Sequence, residues 1–426
     1  MKNCLVLLTK KYPFDSGEEF IENEVPILAR TFQHIVLIAT SVADQTKQTR
    51  TVPENVEVYA LPAAQVRRAV LLRLPAAALF PLSGEVAGTD REQAGKTFRR
   101  KLFCSYFLAK ANCVYTGCKK LLSGAKLEAY DGVTFYSYWL YDTALAAIKL
   151  KRDFGLKNSR VISRAHRYDL YADQNPAGFL PMRETLLQNL DKVYPCSLDG
   201  KRYLIKSYPQ YSGKIQTAYL GTQDQGLSPD SEGPTFHLVS CCHVSAVKRV
   251  DCLARSLALL KSSGLKLKWT HLGGGDGLDA IKDFAKENLS FLEYHLAGEV
   301  SNSRLMAFYR ENPVDCFVNT SSSEGLPVSI MEAASFGIPI LATDVGGTSE
   351  IVKPGKNGFL LPPDFSLEEL AGKIELFCRM NTEDRHKLRQ ASRAIWVENF
   401  CSKQNYARFA VEITPNRSSQ ESIRSS

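Results

Sequence analysis

SSSEGLPVSIMEAASFGIPILATDVGGTSEIV occupies residues 321–352, and its punctuation predicts a fold class. The apolar run just before it, 315–320, suits a buried strand. Three serines with Glu324 and Gly325 make a turn, Pro327 sits where a first helical residue often sits, and 328–336 reads as a short helix. Gly337 stops that helix, Pro339 prevents its continuation, and Ile340, Leu341, Ala342 and Thr343 look like the next strand. The result is a strand–loop–helix–strand unit of the parallel-sheet type. Two glutamates stand eight residues apart within it. Glu324 lies in the loop at the strand's carboxyl end, and Glu332 lies about a turn and a half into the helix.

That placement favours a ligand carrying both hydroxyls and phosphate. A helix N-terminus offers N–H groups and partial positive charge to an anion, and carboxylates on either side accept hydrogen bonds from sugar hydroxyls. Ligands of open parallel sheets collect outside the carboxyl ends of the strands. Two glutamates at arbitrary spacing are more often a solvated loop charge and an exposed helical residue. The surroundings reverse that reading. The stretch from Glu324 through Gly325, Leu326 and Pro327 to Glu332, Gly337 and Pro339 resembles the E-x7-E motif of retaining glycosyltransferases with the GT-B fold, family 4. Val345, Gly346, Gly347 and Asn357-Gly358 follow where that family has its glycine-rich and NG turns.

A chain of 426 residues suits two domains with a large buried interior. The opening MKNCLVLLTKKYPF has an apolar run of only about five, so no secretory leader is expected. No run reaches the roughly 20 residues of a spanning helix. Eleven cysteines are scattered with no C-x-x-C pair, which points to reduced thiols in a cytoplasmic protein rather than to zinc or redox chemistry. The net charge of +8 is uneven: residues 1–200 hold 27 Lys/Arg against 20 Asp/Glu, a net +7. Such a face suits an anionic membrane. Nucleic acid is not expected, because no recognised module accompanies the charge.

Alternating strand and helix patterns open the chain, with strands at 4–9 and 34–39 and a helix at 20–31, the usual start of a Rossmann-like half. Residues 64–82, with Arg67, Arg68 and Arg73, and the cluster Arg99, Arg100 and Lys101 suit a basic, partly apolar surface against a membrane. The competing reading is a core-facing helix with solvated arginines. Pro75 and Pro81 argue against one long regular helix there. Further strands are expected at 134–139, 159–163 and 191–197, and helices at 143–154, 252–262, 367–380 and 386–400. Residues 221–234 have the turn-rich composition of a linker.

The resemblance implies an α/β GT-B fold, two Rossmann-like βαβ domains facing each other across a cleft. It divides the chain into an acceptor-binding domain at 1–220, a linker at 221–234 and a nucleotide-sugar-binding domain at 235–385. A C-terminal helix at 386–413 crosses back to the first domain, and a disordered tail follows at 414–426. Glu324 would contact donor-sugar hydroxyls, Glu332 the ribose, and Lys248, with loop N–H groups near Gly325, Leu326 and Pro327, the diphosphate. His243 stands where the family has an arginine, so either it or Arg249 would supply the second phosphate contact. Gly273 and Gly275 match a G-x-G turn near the nucleotide, and Gly17 the glycine of the first loop. A lone glycine-rich turn could equally be a dinucleotide fingerprint. His166 resembles the histidine of the family's H-G-x-D segment, with Arg167 in the glycine's place, and would point at the transferred sugar or acceptor. Asp169 would orient that loop. The donor would be a nucleotide-diphosphate hexose, with no cofactor or metal required. A glycan or polyprenyl-linked acceptor is expected, with peripheral contact at the anionic inner face of the cell membrane. A UDP-sugar epimerase of the same fold, an NAD-dependent oxidoreductase and a non-catalytic scaffold are the alternatives.

Overall fold

The computed structural model describes residues 2–415 except 16, 44–46, 80–85, 176 and 232, and only the backbone at 74–79 and 174. Past Pro415, the expected disordered tail lies outside the described residues. Among the described residues, 2–219 and 403–415 form one compact unit, and Leu220–Ser402 form the other.

Each unit is built on a six-stranded parallel sheet. In the first, β1 (Asn3–Thr9), β2 (His34–Val42), β3 (Val56–Pro62), β4 (Gly132–Ser137), β5 (Ser159–Ala165) and β6 (Lys192–Pro195) are ordered β3-β2-β1-β4-β5-β6. In the second, β7 (Phe236–Cys241), β8 (Leu267–Leu272), β9 (Glu293–Leu296), β10 (Cys316–Asn319), β11 (Ile340–Thr343) and β12 (Gly358–Leu361) are ordered β12-β11-β10-β7-β8-β9. Read from its own first strand, each sheet runs 3-2-1-4-5-6, the doubly wound Rossmann order. The central strands are apolar runs because helices cover both faces: all seven residues of β1 are buried. Strand order reverses between β1 and β4 and between β7 and β10. These two places open a crevice at the carboxyl edge of each sheet.

The first unit buries a charged knot under its sheet. Arg164 Nε lies 3.1 Å from Glu24 Oε2, both side chains almost wholly enclosed, and the Tyr136 hydroxyl donates to Glu24 at 2.8 Å. The guanidinium also donates to the Ala218 carbonyl at 2.6 Å and lies 4.1 Å from the Phe409 ring centroid. Phe409 belongs to the last helix, Ser402–Glu412, which is held in this unit by Arg160 donating to the Glu412 carbonyl at 2.7 Å.

Three segments differ from expectation. The stretch 386–413 is not one helix: Thr382–Asn399 packs in the second unit and Ser402–Glu412 in the first. The break falls where Thr222 takes over the backbone, its N–H donating to the Phe400 carbonyl and its carbonyl accepting from Ser402 N–H, both at 3.0 Å. For the same reason 221–234 is no free linker. Trp396 Nε1 donates to Thr222 at 2.7 Å and Arg393 to Asp224 at 2.6 Å. Also, helix Ala63–Leu79 runs through Pro75. The bond forgone is the one to the Leu71 carbonyl, and Leu71 is exposed, so water can take that group.

Burial pushes the Glu24 carboxyl up, and the adjacent Arg164 charge and the Tyr136 hydroxyl pull it back down. Arg164→Leu leaves that carboxylate buried and unpaired, and is expected to cost about 3–5 kcal/mol in urea unfolding of the full chain. A double Arg164→Leu/Glu24→Leu variant that lost as much as the single one would refute this account.

Candidate functional site

In the second unit the crevice lies between the loops that leave β7 and β10. The loop after β7 runs from Cys242 to Arg249, where a left-handed residue (φ +48°) opens helix Val250–Leu259. The loop after β10 leads to Pro327, the residue preceding helix Val328–Ser335. The two loops are stitched together. Ser322 N–H donates to the Val247 carbonyl at 2.8 Å, and the Thr320 hydroxyl bonds to the Lys248 and Arg249 carbonyls at 2.9 Å each.

At this seam Lys248 Nζ lies 2.7 Å from Glu324 Oε1, with 27% and 9% of the two side chains exposed. Asn319 Nδ2 donates to the same carboxylate oxygen at 3.3 Å. The glycines keep the backbone close. Gly346 has φ +54°, and a Cβ there would collide with the Glu324 carbonyl oxygen, while Gly347 N–H donates to the Gly325 carbonyl at 2.7 Å. Gly325, Leu326 and Pro327 are buried against this turn, and the following first-turn N–H groups are of the kind that lack intrahelical acceptors. Glu332, one face further along the helix, accepts from Asn302 Nδ2 at 2.7 Å. Burial pushes the Cys241 thiol at the end of β7 up, the Glu332 carboxylate adds to this and the Lys248 ammonium opposes it, so Glu332 and Lys248 both act on one strand end.

The glycine loop after β8 lies flush on the loop after β7. Gly273 and Gly275 take φ +152° and +134°, and a Cβ at either would strike the carbonyl of Cys242 or Val244. His243 is exposed, its ring against Gly275. Arg249 departs from the expected phosphate role. Its guanidinium donates to the carbonyls of Thr320 (2.7 Å), Pro363 (2.8 Å) and Ser321 (3.2 Å) and covers the Phe365 ring at 4.6 Å. It ties strand ends together instead of facing solvent. The left-handed entry into the helix turns it that way, which residue type alone does not reveal.

His166 and Gly17 lie in the first unit. His166 directly follows β5 and is buried, its ring centroid 4.8 Å from Tyr138, 4.7 Å from Trp139 and 5.5 Å from Phe20. Neither ring nitrogen has a hydrogen-bond partner among the described residues. Burial, helped by the Arg164 and Lys10 charges, holds the imidazole well below its ordinary range, so it is neutral. Asp169 fixes the loop, accepting His166 N–H at 2.6 Å and Leu140 N–H at 2.5 Å. Gly17 has φ +96° and no atom within contact of a would-be Cβ. Its carbonyl accepts from Arg50 at 3.0 Å.

Sequence reasoning missed four groups here. The Glu18 carboxylate accepts the N–H groups of Lys10, Lys11 and Tyr12 at 2.7–3.0 Å and of the Trp139 indole at 2.5 Å. Lys10 Nζ lies 4.6 Å from the Trp139 and Tyr168 ring centroids. Asn302 and Asn319, which hold the two acids, were also overlooked. Only Asn319 carried a signal, as a polar residue ending a buried strand. Among the described residues no group of three or more His, Cys, Asp or Glu is placed to hold a metal ion, and no helix is long and apolar enough to cross a membrane.

Two doubly wound sheets in one chain, each with its crevice at the switch of strand order, define a GT-B fold. Residues 231–395, most of the second unit, match the family described as glycosyl transferases group 1. The O-antigen biosynthesis glycosyltransferase WbnH of Escherichia coli is 32% identical over 157 residues, 36% of this chain and 41% of its own. The lipopolysaccharide outer core galactosyltransferase WaaB superposes with TM-score 0.65 at 15% identity, covering 96% and 99% of the two chains. Anabaena HepE, solved with UDP, superposes with TM-score 0.63 at 16% identity, covering 97% and 99%. These structural likenesses show the fold. The chain spans about half the length of the curated relatives it matches.

Burial pushes Glu332 from its ordinary 4.5 to about 7. Between those values the folded chain holds a proton that the unfolded chain has lost. The stabilisation is therefore complete below the lower value and lost as pH rises through the upper one. Glu332→Gln removes this dependence. From about pH 5 to about pH 8 the melting temperature of the variant is expected to gain steadily on the wild type, and parallel curves would show that Glu332 titrates elsewhere.

Proposed function

We propose that the chain is an anomer-retaining glycosyltransferase. It moves a hexose from a nucleotide-diphosphate sugar to a glycan or lipid-linked glycan, in the synthesis of a bacterial surface polysaccharide. The observation that carries this reading is the Lys248–Glu324 contact of 2.7 Å at the switch point of the second sheet, with Glu332 buried beside the same strand end. An ammonium has three N–H groups. With Glu324 accepting one, two remain for the oxygens of a diphosphate, and first-turn amides of helix Val328–Ser335 add donors.

In the reaction the bond between the anomeric carbon and the diphosphate oxygen breaks, its electron pair leaving with the phosphate. Lys248 neutralises the charge that develops there. The acceptor hydroxyl attacks on the face the nucleotide leaves, forming the new glycosidic bond, and the departing phosphate oxygen takes its proton. Glu324 accepts hydrogen bonds from the hexose hydroxyls and Glu332 from the ribose. Neutral His166, with one ring nitrogen donating and one accepting, hydrogen-bonds to a sugar hydroxyl. Positioning and leaving-group stabilisation supply the rate, with no side-chain nucleophile. UDP is the preferred nucleotide, since HepE was solved with it. WbnH belongs to O-antigen synthesis, which supports a polysaccharide product.

The acceptor reading includes contact with an anionic membrane at its inner face. Helices Ala63–Leu79 and Phe98–Leu122 pack together through Val70, Ala109 and Cys113. They leave Leu71, Leu72 and Phe98 68–83% exposed, beside exposed Arg67, Arg68, Arg99 and Lys101.

A panel of UDP-, GDP- and dTDP-sugars tests the donor site by thermal stabilisation and slow nucleotide release. At least one is expected to do both, and Glu324→Gln is expected to lower turnover by about 10²-fold or more with the melting temperature unchanged. A silent panel, or full activity in the variant, would overturn the assignment. For the membrane, the chain is expected to cosediment with phosphatidylglycerol vesicles and not with phosphatidylcholine. Reversing Arg67, Arg68 and Lys101 to Glu should release it, each charge contributing about 1 kcal/mol. Equal binding to both lipids would refute the contact.

A further inference from the structure

The first unit also holds a recess beside the loops that follow β4 and β5. It is a cavity of about 390 Å³, within the range of small-molecule sites. Its walls are the starts of helices Gly88–Gly95 and Phe98–Leu122, the segment 170–184 beyond His166, and the end of helix Leu198–Ser207. Charge on these walls cancels, Arg100 and Arg183 standing against Asp90 and Glu184.

Two of the four are nearly enclosed, Asp90 at 4% and Arg183 at 3% exposure. Asp90 is anchored by the Thr185 N–H and hydroxyl at 2.7 and 2.6 Å. Arg183 donates to the Leu140 carbonyl at 3.2 Å and to the Asp169 carbonyl. Three aromatic rings complete the lining. Phe179 has the Arg100 guanidinium 5.0 Å from its centroid, Tyr203 accepts Ala172 N–H at 3.1 Å, and the Tyr208 hydroxyl bonds to no described residue. Gln93, Ser207 and Gln210 add polar groups at the rim.

This chemistry selects its ligand. A phosphate would face two carboxylates as well as two guanidinium groups. An acyl chain would bury the polar groups without partners, which is costly. A neutral ring rich in hydroxyls satisfies donors and acceptors together and lays its C–H face on the aromatic rings. We propose that this cavity binds a neutral saccharide, the part of the glycan acceptor that lies beyond the reacting hydroxyl. Its assignment to the acceptor rests on the glycosyl-transfer reading; the binding of sugar does not. The cavity also meets the His166 loop, because Arg183 grips Asp169, whose carboxylate holds His166 N–H. An occupant here is therefore positioned by the element that carries His166.

The test is saturation-transfer NMR and calorimetry on the full chain. The probes are glucose, galactose, mannose and N-acetylglucosamine, with lactose, maltose, cellobiose and chitobiose. At least one saccharide is expected to bind, and Ser207→Trp and Gln210→Trp, which fill the recess from exposed positions, should each weaken it about tenfold or more. The nucleotide-sugar thermal shift should stay as in the wild type. If one variant fails to fold by circular dichroism, the other decides. No binding by any probe, or equal binding by wild type and folded variant, overturns the proposal. Failure here with an intact nucleotide-sugar shift leaves the transfer reading standing. A plugged saccharide site in a chain that binds no nucleotide sugar defeats the transfer reading alone.

Discussion

The ion pair between Lys248 and Glu324 joins loops that lie 76 residues apart in the chain. They meet because strand order reverses between β7 and β10. At that reversal the loop after β7 and the loop after β10 leave towards opposite faces of the sheet, each feeding its own helix, and the crevice opens between them. A partly buried ion pair adds little to stability, since desolvation offsets most of the attraction. What fastens the edge is Arg249, one residue on, with its three carbonyl acceptors and its stack on Phe365. The division of labour is physical. A planar guanidinium with fixed donors suits several carbonyls at once, whereas a compact ammonium with rotatable donors can exchange partners.

The same topology occurs twice and carries different chemistry. In the second unit, Gly273, Gly275 and Gly346 let the loop backbones lie closer together than any side chain there would allow. In the first, the crevice is walled by rings: Trp139, Tyr138 and Phe20 enclose His166, and Lys10 lies over Trp139 and Tyr168. One edge carries an ammonium and two carboxylates, the other aromatic rings around a histidine. In the glycosyl-transfer reading that asymmetry divides donor from acceptor.

The segment 321–352 was legible because each of its boundaries is marked by a residue with a backbone preference, and the helix Val328–Ser335 and strand β11 fall within a residue or so of expectation. The capping box at Ser366 and Glu369 is equally local. Other elements gave no such mark. β12 is four residues long, and β3 is an edge strand with an exposed Glu57. Helix Phe98–Leu122 spreads its apolar residues around its circumference, so no 3.6-residue stripe announces it. Within the sites, residue types were readable and their partners were not. Glu18 meets the Trp139 indole 121 residues away, a contact set by the pairing of β1 with β4.

Protonation follows from these surroundings. His166 is enclosed by aromatic rings with two cations near it, so a proton on its ring is opposed both by lost hydration and by repulsion. A histidine kept neutral in this way is a poor general acid and a weak base at neutral pH, yet it remains a donor and an acceptor. That suits a reaction whose proton passes straight from acceptor hydroxyl to departing phosphate. In such a reaction a strong base beside the sugar would compete for the proton, whereas an uncharged imidazole only has to hold a hydroxyl in place. Asp169 stands next to it but has both oxygens engaged by backbone N–H groups, so this carboxylate is tied to the loop and unable to draw the proton away.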